Sequence, residues 1–98
     1  MATIVSAKTL GKAHKTLGNF RVYSDSELGV NTYRIYFVCR SVEWSETSMT
    51  FKVTKNLVAR SVAWIDDLNK FESFCAGLQS TYSALVSAEL RDLAKAGA

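Results

Sequence analysis

Proline is missing altogether from these 98 residues, where ordinary usage is about 5%. Breaks between elements must therefore come from Gly, Asn, Asp and Ser. Histidine occurs once, as His14, and cysteine twice, as Cys39 and Cys75. One His and two distant Cys cannot furnish a structural zinc site, and the two thiols make no disulfide framework. Each cysteine falls on the apolar stripe of its element, where a thiol behaves as a small hydrophobe. A catalytic His14 needs an acid or nucleophile poised beside it, and no recognisable spacing supplies one. It reads instead as the edge of an N-terminal helix.

No segment approaches the ~20 apolar residues of a membrane span. The opening MATIVSAKTLGKAHK lacks the leading charge and continuous apolar run of a signal peptide. The expectation is a cytoplasmic, non-enzymatic protein with free thiols, no metal, no cofactor and no membrane.

Acids are also missing from the first 18 residues, which hold Lys8, Lys12 and Lys15. Residues 1–64 carry +5 and residues 65–98 carry −2, so the net +3 is unevenly placed. Such asymmetry suits a polyanionic or acidic partner. A hydrophobic content of 48% with 21% charged residues belongs to a globular chain, and the length to a single domain spanning 1–98.

Residues 6–17 show helical spacing at Ala7, Leu10, His14 and Leu17, with Ser6 as N-cap and Gly18 as terminator. Gly11 weakens that helix, and Thr3-Ile-Val5 alternatively begins a short strand. On the helical reading Lys8, Lys12 and Lys15 share one face, either solvated or turned to a partner. Alternating runs over 19–24, 32–42, 48–54 and 57–64 predict three or four antiparallel strands. Turn residues cover 24–31, and Lys55-Asn56 reads as a two-residue break. Met49, Phe51 and Val53 are expected inward, and Trp64 in the core.

The period then changes. Leu68, Phe71, Phe74, Cys75 and Leu78 predict a helix over about 66–77, capped by Asp66 or Asp67 and ended by Gly77. Tyr82, Leu85, Val86, Leu90 and Leu93 predict a second helix over about 80–95, capped by Ser80. The fold class is α+β: an antiparallel sheet covered on one face by two C-terminal helices, with a short N-terminal helix.

In the stretch TYRIYFVCR, residues 32–40, Tyr33, Ile35, Phe37 and Cys39 form the core side. Arg34, Tyr36 and Arg40 then face away from the helices. The same alternation sends Arg21, Tyr23 and Lys52 with them. Solvated sheet faces normally carry such residues. The set also suits a protein-binding patch, since Tyr and Arg dominate hot spots, or stacked bases with neutralised phosphates. Trp44, in a polar turn, either tucks onto the core edge or anchors a partner.

In layout the chain resembles many small proteins encoded by phages and mobile elements, several of which inhibit a host complex by occupying its surface. It is similar also to single-stranded RNA phage coat proteins, where a sheet precedes two helices, although it is short for their full set of strands. The expected function is a small binding protein that occupies a macromolecular partner's surface. The expected interface is Arg21, Tyr23, Arg34, Tyr36, Arg40, Lys52 and Trp44, with a secondary basic patch at Lys8, Lys12 and Lys15. The alternatives are a nucleic-acid-binding module on the same face and a coat-like structural protein. A homodimer through the C-terminal helices is expected from their surplus apolar positions.

Overall fold

The computed structural model describes residues 4–25 and 31–96. Thr3, residues 26–30 of the expected 24–31 turn, and the end of the Ala/Gly tail lie outside the described residues. Five strands form one antiparallel sheet: β1 (Ile4–Ser6), β2 (Lys15–Leu17), β3 (Phe20–Ser24), β4 (Tyr33–Ser45) and β5 (Thr50–Ile65), in the order β1-β5-β4-β3-β2. Helices α1 (Lys70–Cys75) and α2 (Gln79–Ala96) follow. The α+β layout of a sheet before two C-terminal helices therefore holds, with five strands rather than three or four.

The N-terminal helix expected over 6–17 is replaced by β1, a short 3-10 helix (Ala7–Leu10) and β2. Gly11 takes φ +73°, a left-handed conformation that ends the 3-10 turn. Val5 and its neighbours then gain more by pairing with Val58–Arg60 of β5, and Lys15–Leu17 by pairing with Phe20–Val22. Ser6 precedes the 3-10 helix without a side-chain capping bond.

The turn joining β2 to β3 is Gly18-Asn19. Gly18 sits at φ +60°, and a Cβ there would meet Gln79 Oε1 at 2.8 Å. Asn19 uses that closeness. Its backbone N–H donates to Gln79 Oε1 (3.2 Å), its Oδ1 accepts from Gln79 Nε2 (2.5 Å), and its Nδ2 donates to the Val38 carbonyl (2.7 Å). One turn residue thus ties the sheet to the start of α2.

The strands expected at 48–54 and 57–64 are one continuous strand. Lys55-Asn56 does not break it, because the ladder runs from Leu57 opposite Arg40 to Val53 opposite Val42. Three residues of β5 therefore face the single Ser41, a bulge. Ser41 and Thr54 join hydroxyls across it, and the Asn56 N–H donates to Thr54 Oγ1. A second irregularity places Tyr36 opposite Ser61 and Ile35 opposite Ala63, leaving Val62 extra. With no proline to interrupt them, β4 and β5 run 13 and 16 residues. The molecule is accordingly long, 48 × 27 × 23 Å.

Met49, expected inward, lies instead in the 46–49 turn at φ +53° and is exposed. Val53 follows the helix side of the ladder but is 67% exposed, because α2 packs chiefly over β4 rather than β5.

The core lies between sheet and helices. Phe20, Val22, Ile35, Phe37, Ile65, Phe71, Cys75, Val86 and Leu90 form its buried cluster. Phe20 meets Phe37, Phe74 and Tyr82 edge-on, at centroid distances of 5.3, 6.0 and 5.7 Å. These are favourable aromatic geometries. A smaller cluster, Ala7, Val38 and Ala59 with Val5, Leu10 and Tyr36, lies on the opposite face under the 3-10 helix.

Helix α1 is shorter than the expected 66–77. The Asp67 carboxylate accepts the Asn69 N–H (3.0 Å) and Asp66 pairs with Lys70 (2.7 Å). Both aspartates therefore act in the turn ahead of the helix, and Asn69 precedes α1 without a side-chain cap. The positive φ of Gly77 lies between the two helices. Ser80 falls inside α2, which begins at Gln79. On α2, Glu89 receives Arg60 Nε at 2.8 Å, an ion pair from β5 across the helix-covered side.

Truncating Phe20 to alanine is expected to cost about 3–5 kcal/mol, measured as the loss of unfolding free energy in urea. Burial pushes the Cys75 thiol up from 9.0 to about 11. The folded state then holds this proton more tightly than the unfolded chain. Its contribution to stability is complete below pH 9.0 and is lost as pH rises through about 11. Urea midpoints between those limits should fall more steeply for the wild type than for Cys75→Ala. Equal slopes would contradict the assignment.

Candidate binding face

Alternation along β4 sends Tyr33, Ile35, Phe37 and Cys39 to the helices and Arg34, Tyr36, Val38 and Arg40 away from them. The ladder extends that second set, with Arg21 opposite Tyr36, Tyr23 opposite Arg34, and Trp64 opposite Arg34 on the far side. Arg21, Tyr23, Arg34, Tyr36 and Arg40 thus share one face. They do not share one environment.

Tyr23 is only 6% exposed and meets Tyr36 edge-on at 5.6 Å. Tyr36 is half-buried and packs on the cluster below the 3-10 helix. That short element, unforeseen in the sequence, covers part of the face and removes the phenol rings from an open stacking platform. Arg34 is held too: Nε donates to Asp25 Oδ2 at 2.7 Å and Nη1 to Ser61 Oγ at 3.1 Å. Thr9, Leu10, Ser24 and these residues enclose a hollow of about 380 Å³. Arg21 is half-buried and Arg40 exposed, and neither belongs to an ion pair among the described residues.

Lys52 lies farther along the ribbon, opposite Glu43. Trp44 departs from the set. The Ser41 bulge shifts the alternation, so Val42 and Trp44 follow the helix side. Trp44 stacks edge-on with Phe51 at 4.9 Å, and Lys95 of α2 lies 5.9 Å from its ring centre. It sits on a strand, half-buried, rather than in a turn.

The three N-terminal lysines share no helical face. Lys8 is in the 3-10 helix, Lys12 in the connection, and Lys15 on the edge strand opposite Val22. His14 Nε2 meets Ser24 Oγ at 2.5 Å and its ring meets Tyr33 edge-on. No carboxylate bonds the ring among the described residues, so the third, orienting member of a nucleophilic triad is missing there.

Sequence reasoning missed Trp64 and Lys55. Trp64, expected in the core, is 62% exposed, because the extra Val62 turns Ile65 inward and Trp64 outward. Lys55, where the sequence pattern predicts a break, lies within β5. An apolar count over 57–64 that allowed one skipped position would have signalled the first; nothing in the pattern signals the second. Among the described residues no group of three His, Cys, Asp or Glu is placed to hold a metal ion, and no helix is long and apolar enough to cross a membrane.

The Tyr23 hydroxyl is buried without a hydrogen-bond partner among the described residues. An unsatisfied buried hydroxyl is destabilising. Tyr23→Phe is therefore expected to keep or raise stability, by up to ~1 kcal/mol in urea unfolding, whereas a loss of that size would show that the hydroxyl is bonded. Comparison with family models, with curated proteins and with solved structures gave no match.

Proposed function

We propose that this protein is a small, non-enzymatic binding protein that occupies the surface of a protein partner, of the kind encoded by phages and mobile elements as inhibitors of host complexes. One observation carries the reading. The sheet face turned from the helices presents Arg21 and Arg40 outside any described ion pair, and an exposed Trp64 at the level of Arg34 farther along the same face. Tryptophan and arginine are the residues that most often dominate binding energy. Tyr23, Tyr36 and Arg34 support this surface from below instead of forming its contact layer. Lys52 extends it along the ribbon.

The nucleic-acid alternative uses the same cations but has fewer free rings to stack bases. Under it, binding would fall steeply with salt, by close to one log unit per tenfold rise in salt for each phosphate neutralised on duplex.

A coat-like structural protein is the second reading, favoured by the five strands that precede the two helices. Leu85 and Leu93 remain exposed on α2, the apolar surplus that suits a homodimer through these helices. Sedimentation at micromolar concentration should then return twice the 10.8 kDa chain mass; a clean monomer would reject self-association.

For the preferred reading, Arg40→Ala with Trp64→Ala should abolish capture of the partner from nuclease-treated lysate. Thermal stability should stay within ~1 kcal/mol of wild type. Undiminished capture would remove this face from the interface.

A further inference from the structure

Where β1 ends and β5 runs on, the chain encloses a cleft of about 690 Å³. Its floor is apolar, with Val5, Ala7 and Leu57, and its rim carries Lys8, Arg21 and Lys55. No acidic residue lines it among the described residues, and none of the three cations belongs to a described ion pair. Arg40 stands opposite Leu57 in the ladder and adds a fourth positive charge nearby. Cations gathered around a concave site repel one another and focus an attractive field on an incoming anion.

Three occupants carry the necessary charge. Single-stranded nucleic acid binds in grooves where rings stack its bases; no aromatic residue lines this cleft, and Tyr23 and Tyr36 are packed against each other elsewhere. A second copy related by a two-fold axis would bring the same cations face to face, which is destabilising. An acidic peptide fits the whole arrangement. A greasy centre inside a charged rim is the ordinary anatomy of a protein–protein contact. The backbone adds a further argument. Strand β1 covers β5 only over Val58–Arg60, so among the described residues the outer edge of β5 over 50–57 has no strand beside it. An extended segment lying in the cleft continues the line of β1 along that edge, as in strand addition. Lys52 and Lys55 discourage edge pairing by identical chains while offering charge partners to an acidic one.

We infer that this cleft receives an extended acidic segment of the partner protein, with an apolar side chain on the Val5/Ala7/Leu57 floor and carboxylates at Lys8, Arg21 and Lys55. The inference deepens the surface-occupation reading and rests on it.

The test is fluorescence anisotropy on the full chain, with a fluorescein-labelled peptide in which two leucines alternate with glutamates. The wild type should bind it. Lys8→Glu with Lys55→Glu should weaken binding by at least ~10-fold, and both side chains are exposed, so the fold should persist by circular dichroism. Arg91→Glu with Lys95→Glu, the same change of charge at exposed positions of α2, should leave binding within ~2-fold. No binding by the wild type would overturn the assignment. So would equal losses in both variants, undiminished binding of a glutamine-for-glutamate peptide, or tighter binding of an oligothymidylate of equal charge. If the peptide fails while Arg40→Ala with Trp64→Ala still abolishes partner capture, the cleft is refuted and the wider surface stands.

Discussion

The edge-on contact between Phe20 and Phe37 is the interaction on which the remaining structure depends. It joins β3 to the central strand on the covered side of the sheet. Phe74 and Tyr82, from α1 and from α2, close over the same ring. A 98-residue chain without disulfides or a described metal cluster has one main core to rely on. Placing an aromatic hub where strands and helices converge gives Phe20 three ring partners instead of one. The Asn19–Gln79 bonds act beside it, fixing α2 in position along the sheet.

Much of this was legible in residues. The 2-residue period of 33–39 gave the strand, and the 3- and 4-residue period of Tyr82, Val86 and Leu90 gave α2, because burial on one face imposes those spacings. What stayed hidden has a physical cause in each case. Two irregularities in β5 shift the alternation without a proline or glycine to announce them. Read without the shift, Trp64 falls inside and Lys55-Asn56 looks like a turn. The N-terminal segment shows helical spacing, yet pairing with distant Val58–Arg60 outweighs a helix already weakened at Gly11. For the candidate surface, periodicity assigned Arg34 and Tyr36 to the face away from the helices. It was silent on whether anything else covers that face, and a four-residue 3-10 helix does.

The cations divide in consequence into two populations. Arg34, Arg60 and Lys70 are committed to Asp25, Glu89 and Asp66, two of these pairs partly sheltered from water and one fully exposed. Arg21, Arg40, Lys8 and Lys55 have no such acid among the described residues. Sequence shows only the sum, +3; the fold decides which charges are spent internally and which are left unpaired. These four gather on the side away from α1 and α2, where their mutual repulsion is a standing cost that a bound anion would relieve.

The order in which the chain is made gives the aromatic hub another meaning. All five strands precede Phe74 and Tyr82, so a ribosome releases the sheet before it releases the lid that shields Phe20. During that interval the greasy side of the meander is bare to the cytosol of whatever cell translates it, the state in which nascent chains stick to one another. Short outer strands of three residues each, with Lys52 and Lys55 on the length of β5 they leave uncovered, discourage like chains from zipping on, which blunts the hazard until the last turns of α2 emerge.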